Sequence, residues 1–149
     1  MMTRVDKIER EVLVPAAIER VWQAITVAEE LAQWFGDIAE LDLRQGGTAK
    51  FGWSEHGNTV SAVVETADPP TRFAFRWAAS PDTEVEDGPS TLVEFTLESV
   101  TDGTIVRVVE TGFASFPDEL YRRQFDANTS GWKAELQDLI DYAGAGGEG

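Results

Sequence analysis

The stretch Val12-Leu13-Val14-Pro15-Ala16-Ala17-Ile18-Glu19-Arg20-Val21-Trp22-Gln23-Ala24-Ile25-Thr26, followed by Glu30-Leu31-Ala32-Gln33-Trp34-Phe35, decides the fold of this chain. Ile8, Arg10, Val12 and Val14 alternate with Glu9, Glu11 and Leu13, which is the period of a strand. Pro15 ends that strand, because proline contributes no backbone donor to a ladder. Ile18, Val21, Trp22 and Ile25 then recur at helical spacing. Leu31, Trp34 and Phe35 repeat the pattern after a break at Thr26-Val27, and Gly36 stops the second helix. The opening is therefore one strand and two short helices.

From Ile38 to Phe113 the chain is punctuated by turn signals: Gln45-Gly46-Gly47, Glu55-His56-Gly57-Asn58, Asp68-Pro69-Pro70, an acidic loop over 80–89, and Thr101-Asp102-Gly103. The runs between them, about 38–43, 48–54, 59–67, 72–79, 91–100 and 104–113, are rich in Val, Thr, Phe and Trp and predict six strands. Hairpin-length links make the sheet antiparallel, with the N-terminal strand as the seventh. Phe73, Phe75 and Trp77 share one face, as do Val93, Phe95 and Leu97. Such an aromatic face needs cover. From about Pro117 to Ala143, Tyr121, Phe125, Trp132, Leu136, Leu139 and Ile140 mark a helical stripe, while Asp118, Arg122, Arg123, Glu135 and Asp138 mostly lie off it. The fold class is α+β: a curved seven-stranded antiparallel sheet around a long C-terminal helix, with two short helices between strands 1 and 2. Residues 1–143 read as a single domain and 144–149 as a flexible Gly-rich tail.

Composition narrows the function. The 27 acidic and 12 basic side chains give a formal net charge of −15, which repels phosphate backbones and argues against nucleic-acid binding. Cysteine is absent, so disulfide, thiolate and cysteine-zinc chemistry are excluded. No run approaches the roughly 20 apolar residues of a membrane span, and Met1 to Lys7 carries no signal-peptide core. The expectation is a cytoplasmic protein without membrane insertion. Asp82, Glu84, Glu86 and Asp87 read as a solvated loop, and His56 as an exposed turn residue, so no metal site is expected. No nucleophile–base pair, metal-ligand spacing or phosphate-cradling loop is identifiable, so neither a catalytic residue nor a cofactor is expected.

Pro15, Val21-Trp22, Ala24-Ile25-Thr26, Glu30-Leu31 and Trp34-Phe35 resemble the opening of the START-like, or helix-grip, superfamily. Within it they are most similar to the branch named for the activator of the heat-shock protein 90 ATPase. Further matches are Gly46-Gly47, Phe51-Gly52-Trp53, Pro69-Pro70 before Arg72-Phe73, Phe75-Arg76-Trp77, Glu110-Thr111-Gly112-Phe113, and Asn128 with Gly131-Trp132. The resemblance covers nearly the whole chain. It implies a helix-grip fold with a cavity between sheet and long helix, used across the superfamily for lipids, polyketides and other apolar molecules. Some relatives are cyclases or hydrolases that use scattered pocket carboxylates, tyrosines and arginines. The branch name implies a chaperone-associated role as a third class, although those activators carry a further N-terminal domain for which 149 residues leave no room.

The candidate ligand-binding residues are Trp34, Phe51, Trp53, Phe75, Trp77, Phe95, Glu110, Phe113, Tyr121, Phe125 and Trp132. An aromatic set this large is either a pocket lining or a bulky core. Trp22 reads as a packing residue and Trp34 as the cavity neighbour where the second helix closes over the sheet. Glu110 shares parity with Val106 and Val108; if these face the helix it enters the cavity, and otherwise it is solvated or in a structural ion pair. An inward carboxyl calls for a nearby cation, and Arg10 and Arg76 are the partners to examine. With Tyr121, Glu110 keeps an enzyme in play. The primary expectation is binding of a small hydrophobic or amphipathic molecule. A protein partner stays open, and oligomeric state is not readable.

Overall fold

A computed structural model describes residues 5–80 and 83–146. Strand β1 (Lys7–Val14) leads into α1 (Ile18–Thr26) and α2 (Ala28–Trp34), then β2 (Ile38–Leu41), β3 (Thr48–Trp53), β4 (Asn58–Asp68), β5 (Arg72–Ala78), β6 (Ser90–Val100), β7 (Gly103–Thr111) and α3 (Asp118–Gly146). The seven strands form one antiparallel sheet in the spatial order β1-β7-β6-β5-β4-β3-β2. The last six are a plain meander, and β1 closes it by pairing with β7, Val12 opposite Val106. This is the predicted helix-grip architecture. Helix α3 runs to Gly146, past the expected end at Ala143, so the tail expected over 144–149 begins as helix; residues 147–149 lie outside the described residues.

Local chemistry sets the opening. Val27, extended at φ −95° and ψ 123°, is at once the C-cap of α1 and the N-cap of α2, which produces the break predicted at Thr26-Val27. The indole N–H of Trp34 donates to the Ala24 carbonyl at 2.8 Å and fixes the angle between the two helices. Gly36 then turns the chain back toward the sheet at φ +71°, where an added Cβ would stand 2.3 Å from the Gly52 carbonyl oxygen. Any side chain there collides with β3. On β4 the ladder slips between Val64 and Thr66, and such a bulge increases twist and bends the sheet.

Alternation separates the sheet faces as expected. On β6 Thr91, Val93, Phe95 and Leu97 are buried, and on β7 Thr104, Val106, Val108 and Glu110 are buried. Trp132, Leu136, Leu139 and Ala143, spaced four, three and four apart, form the buried stripe of α3. The concave face is covered in two parts. Helices α1 and α2 cover one part, with Trp22 edge-on to Phe73 at 6.4 Å and Phe35, just after α2, edge-on to Phe51 at 5.4 Å. Helix α3 covers the rest. Burial of each of these rings stabilises the fold by about 1.5–3 kcal/mol.

Candidate functional site

The sheet and α3 do not meet everywhere. Toward the end of β5, Trp53 of β3 and Trp77 of β5 face Ala127, Asn128, Gly131 and Glu135 of α3 across a cavity of about 300 Å³, with Phe35 and Trp132 completing its wall. A second lobe of about 140 Å³ shares Trp53, Trp77 and Asn128 and extends to Thr91, Phe113 and Gln124. Phe35 stacks on Trp77 at 5.9 Å and on Trp132 at 5.6 Å, and Trp77 stacks on Trp132 at 6.0 Å. Trp53 meets Phe35 edge-on at 5.3 Å. The wall is a braced aromatic cluster.

Behind that wall lies Glu110, with no exposed surface. The Trp132 indole N–H donates to its Oε1 at 2.8 Å and the Trp77 indole N–H to its Oε2 at 3.0 Å. The Asn128 amide donates to both oxygens, at 3.1 and 3.0 Å, and the Thr91 hydroxyl donates to Oε2. Four uncharged donors from β5, β6 and α3 thus converge on one carboxyl. A buried carboxyl is tolerated only with such satisfaction. The arrangement locks the rotamers of two tryptophans and the asparagine of the groove.

Neither arginine expected beside Glu110 is there. Arg76 has the opposite parity on β5, so its Nε reaches Glu65 at 3.1 Å on the outer face. Arg10 is inward on β1 but opposite Val108, and its Nη2 donates to the Thr129 carbonyl of α3 at 3.0 Å. Neutral donors have taken the role assigned to a cation.

Of the candidate ligand residues, Trp53, Trp77, Trp132 and Phe113 line the two lobes. Phe51, Phe75 and Phe95 are on the correct face but line neither lobe; they pack ring against ring, Phe51 on Phe75 at 5.1 Å, beneath the helices. Tyr121 and Phe125 stack on each other at 5.4 Å near the start of α3, Phe125 against Phe113 and the Tyr121 hydroxyl on the Val5 carbonyl, also away from both lobes. Trp34 points its indole into the helix pair, and the cavity position belongs to its neighbour Phe35. Trp34 is the last helical residue, whereas Phe35 has left the helix at φ −108° and ψ 78°, and this change of backbone separates the two roles.

Glu135 was assigned off the apolar stripe, yet it lines the larger lobe. Its Oε2 is buried with no hydrogen-bond partner. Burial, and secondarily the charge of Asp138, push its carboxyl up to about 7. An outer cleft adjoins at Trp53 and Glu135 and is lined also by Trp34, Asp37, Glu55 and Asp138. The Asp37 carboxyl is held below its ordinary range by the Ser54 hydroxyl and backbone N–H, both of which donate to it. The missed residues Asn128, Gly131 and Glu135 follow helical spacing on one face, a signal that was present in the sequence.

Among the described residues no three His, Asp or Glu side chains are grouped to hold a metal, and no helix is long and apolar enough to cross a membrane. Asp82 and the side chain of His56, read above as a solvated acid and an exposed turn residue, lie outside the described residues.

The fold is similar to several solved structures. DynU16, of the dynemicin biosynthetic locus, shares 24% identity at a TM-score of 0.77, covering 96% of this chain and 49% of its own. This chain therefore spans about half the length of that protein. The Aha1 dimer from Colwellia psychrerythraea shares 21% identity at a TM-score of 0.77, over 97% of this chain and all of its own (100%). CalU16 from Micromonospora echinospora shares 24% identity at a TM-score of 0.65, over 92% of this chain and 74% of its own. No curated protein matches. The family model of the Activator of Hsp90 ATPase homolog 1-like proteins matches residues 15–144, from the proline after β1 into the last turns of α3, and the chain belongs to that family.

Proposed function

We propose that this protein binds a small hydrophobic or amphipathic organic molecule in the two-lobed groove between β3, β5 and α3. The observation that carries the reading is Gly131. It sits in the interior of a 29-residue helix, lines the groove, and an added Cβ there would meet nothing within 4 Å. A helical glycine costs about 1 kcal/mol relative to alanine, so this position keeps space open against local stability. The volume suits a ligand of about ten to fifteen non-hydrogen atoms, taking roughly 30 Å³ for each. Apolar walls with a few placed polar groups are the usual composition of such sites. The position of DynU16 in a biosynthetic locus accords with a small organic ligand.

An enzyme of the cyclase or hydrolase type would need Glu110 to reach the substrate. Its carboxyl is wholly buried, with both oxygens held by side chains of the groove wall, which favours binding over catalysis. The test is a broad small-molecule library screened by thermal shift and native mass spectrometry, against wild type and Gly131→Leu. Hits should raise the melting temperature of the wild type by mass action and fail to do so in the variant, which should fold at least as stably. Hits that bind Gly131→Leu equally well would refute the groove as their site.

A further inference from the structure

We propose that the groove selects a small amphipathic amine in its protonated form, seating the ammonium between Glu135, Asn128 and the tryptophan faces. The inference rests on the ligand-binding reading above and names its ligand class. Three observations carry it.

The first is the direction of the groove's donors. The indole N–H of Trp132, the Thr91 hydroxyl and the Asn128 amide donate to Glu110, the Trp77 indole N–H is shared between Glu110 and the Thr91 hydroxyl oxygen, and the Gln124 amide donates to the Ala79 carbonyl at 3.0 Å. With those donors engaged and the Trp53 indole N–H as the remaining indole donor, the wall offers a ligand the tryptophan π surface left outside the mutual stacking and the Asn128 amide oxygen. Indoles whose N–H groups are bonded to a carboxyl are polarised toward richer ring faces, and the face of tryptophan is the best aromatic partner for a cation.

The second is the orphan oxygen. Glu135 Oε2 is buried without a partner at the edge of this aromatic wall. A buried acceptor left unbonded costs about 1–3 kcal/mol, and a ligand N–H would recover it. This favours an amine carrying N–H groups over a quaternary ammonium.

The third is the electrostatic setting. The groups that share the larger lobe or the outer cleft with Glu135 are Asp37, Glu55 and Asp138, the buried acid behind the wall is Glu110, and the residues lining these spaces include no Lys or Arg. On a chain of net charge −15, the mouth draws cations and repels anions. Glu135, pushed up to about 7, holds its proton in the free protein at mildly acid pH. Pairing with an ammonium favours the carboxylate, so binding below pH 7 expels that proton to the buffer.

The test is isothermal titration of the wild-type protein with three matched probes: phenethylammonium, neutral 2-phenylethanol and anionic 3-phenylpropanoate. We expect the ammonium to bind about tenfold more tightly than the alcohol, and the anion not to bind. At pH 6 the ammonium heat should depend on buffer ionisation enthalpy in the sense of proton release, while the alcohol heat should not. Glu135→Gln should cut ammonium affinity about fivefold or more, narrow its advantage over the alcohol measured on the same variant, and abolish proton release. Equal or tighter binding of the alcohol or the anion would overturn the amine assignment and leave small-molecule binding standing. So would retention of ammonium affinity in Glu135→Gln. Failure of all three probes also overturns the assignment, and the library screen then decides the broader reading separately.

Discussion

Replacing Glu135 by glutamine should stabilise the protein by an amount that grows as pH rises from about 4.5 to 7. In the fold this carboxyl is pushed from 4.5 up to about 7, mainly by burial and also by Asp138. Between those values the folded state holds a proton that the unfolded chain has released, so stability falls as pH rises through the window. The contribution is fully present below about pH 4.5 and lost by pH 7 to 8. At about 1.4 kcal/mol for each pH unit the ceiling is roughly 3 kcal/mol, but Glu135 is only partly buried and solvent screening reduces it to about 1–1.5 kcal/mol. Glutamine keeps the shape and removes the titration. Urea unfolding of both proteins from pH 4 to 8 should give curves that differ least at pH 4 and separate by about 1–1.5 kcal/mol at pH 8, or about 3–5 °C in melting temperature. General repulsion among the acids also weakens the wild type as pH rises, so Glu98→Gln, exposed on β6, serves as the control for loss of one charge. A difference that stays constant with pH, or that the control reproduces, would refute the buried-carboxyl argument.

Glu110→Leu should be far more costly. It orphans the donors of Trp132, Thr91 and Asn128, while the Trp77 N–H keeps the Thr91 hydroxyl oxygen at 3.0 Å, and at about 1 kcal/mol or more for each lost partner, less the added apolar burial, the loss is roughly 2–3 kcal/mol by urea unfolding. A loss under about 1 kcal/mol would mean that the network does not hold the wall. Gly36→Ala forces a β-carbon against the Gly52 carbonyl at a positive φ and should cost about 2 kcal/mol or more, read as a drop of several degrees in melting temperature. An unchanged transition would show that the turn between α2 and β2 can relax.

The architecture was legible because it rests on periodicity. Pro15, the Thr26-Val27 break, Gly36 and the hairpin turns each act through a local backbone constraint, and each marks the boundary it predicts. Alternation on β7 tied Glu110 to the side of Val106 and Val108 without saying which side that is, and the structure buries all three. The site was less legible because parity gives a face and not a depth. Phe51 and Phe95 share the concave face with Trp53 and Trp77, but whether a ring meets a helix or a cavity depends on where α1, α2 and α3 end over the sheet. The exchange of roles between Trp34 and Phe35 has the same origin, since it depends on α2 ending at Trp34, which leaves Phe35 with a non-helical backbone. Glu135 escaped notice because a charge on a long helix is ordinarily a solvated one. Its burial follows from its place one turn after Gly131 on the face of α3 that lines the groove.

Glu110 connects fold and site. An apolar residue at that position would pack against α3 at lower desolvation cost, since buried polar groups contribute little net stability compared with well-packed apolar ones. Its effect is on direction. By accepting from one indole on β5 and another on α3, it ties the sheet to the helix, and the groove opens where Gly131 puts no side chain between the two surfaces. The same bonds direct these donors to Glu110, behind the groove wall. Trp77 and Trp132 with free N–H groups would invite an anion or a carbonyl; with those groups occupied they present ring faces. A leucine at position 110 would therefore do more than destabilise the fold. It would return those donors to the groove, and the charge preference of whatever folded protein remained should shift from cation toward anion.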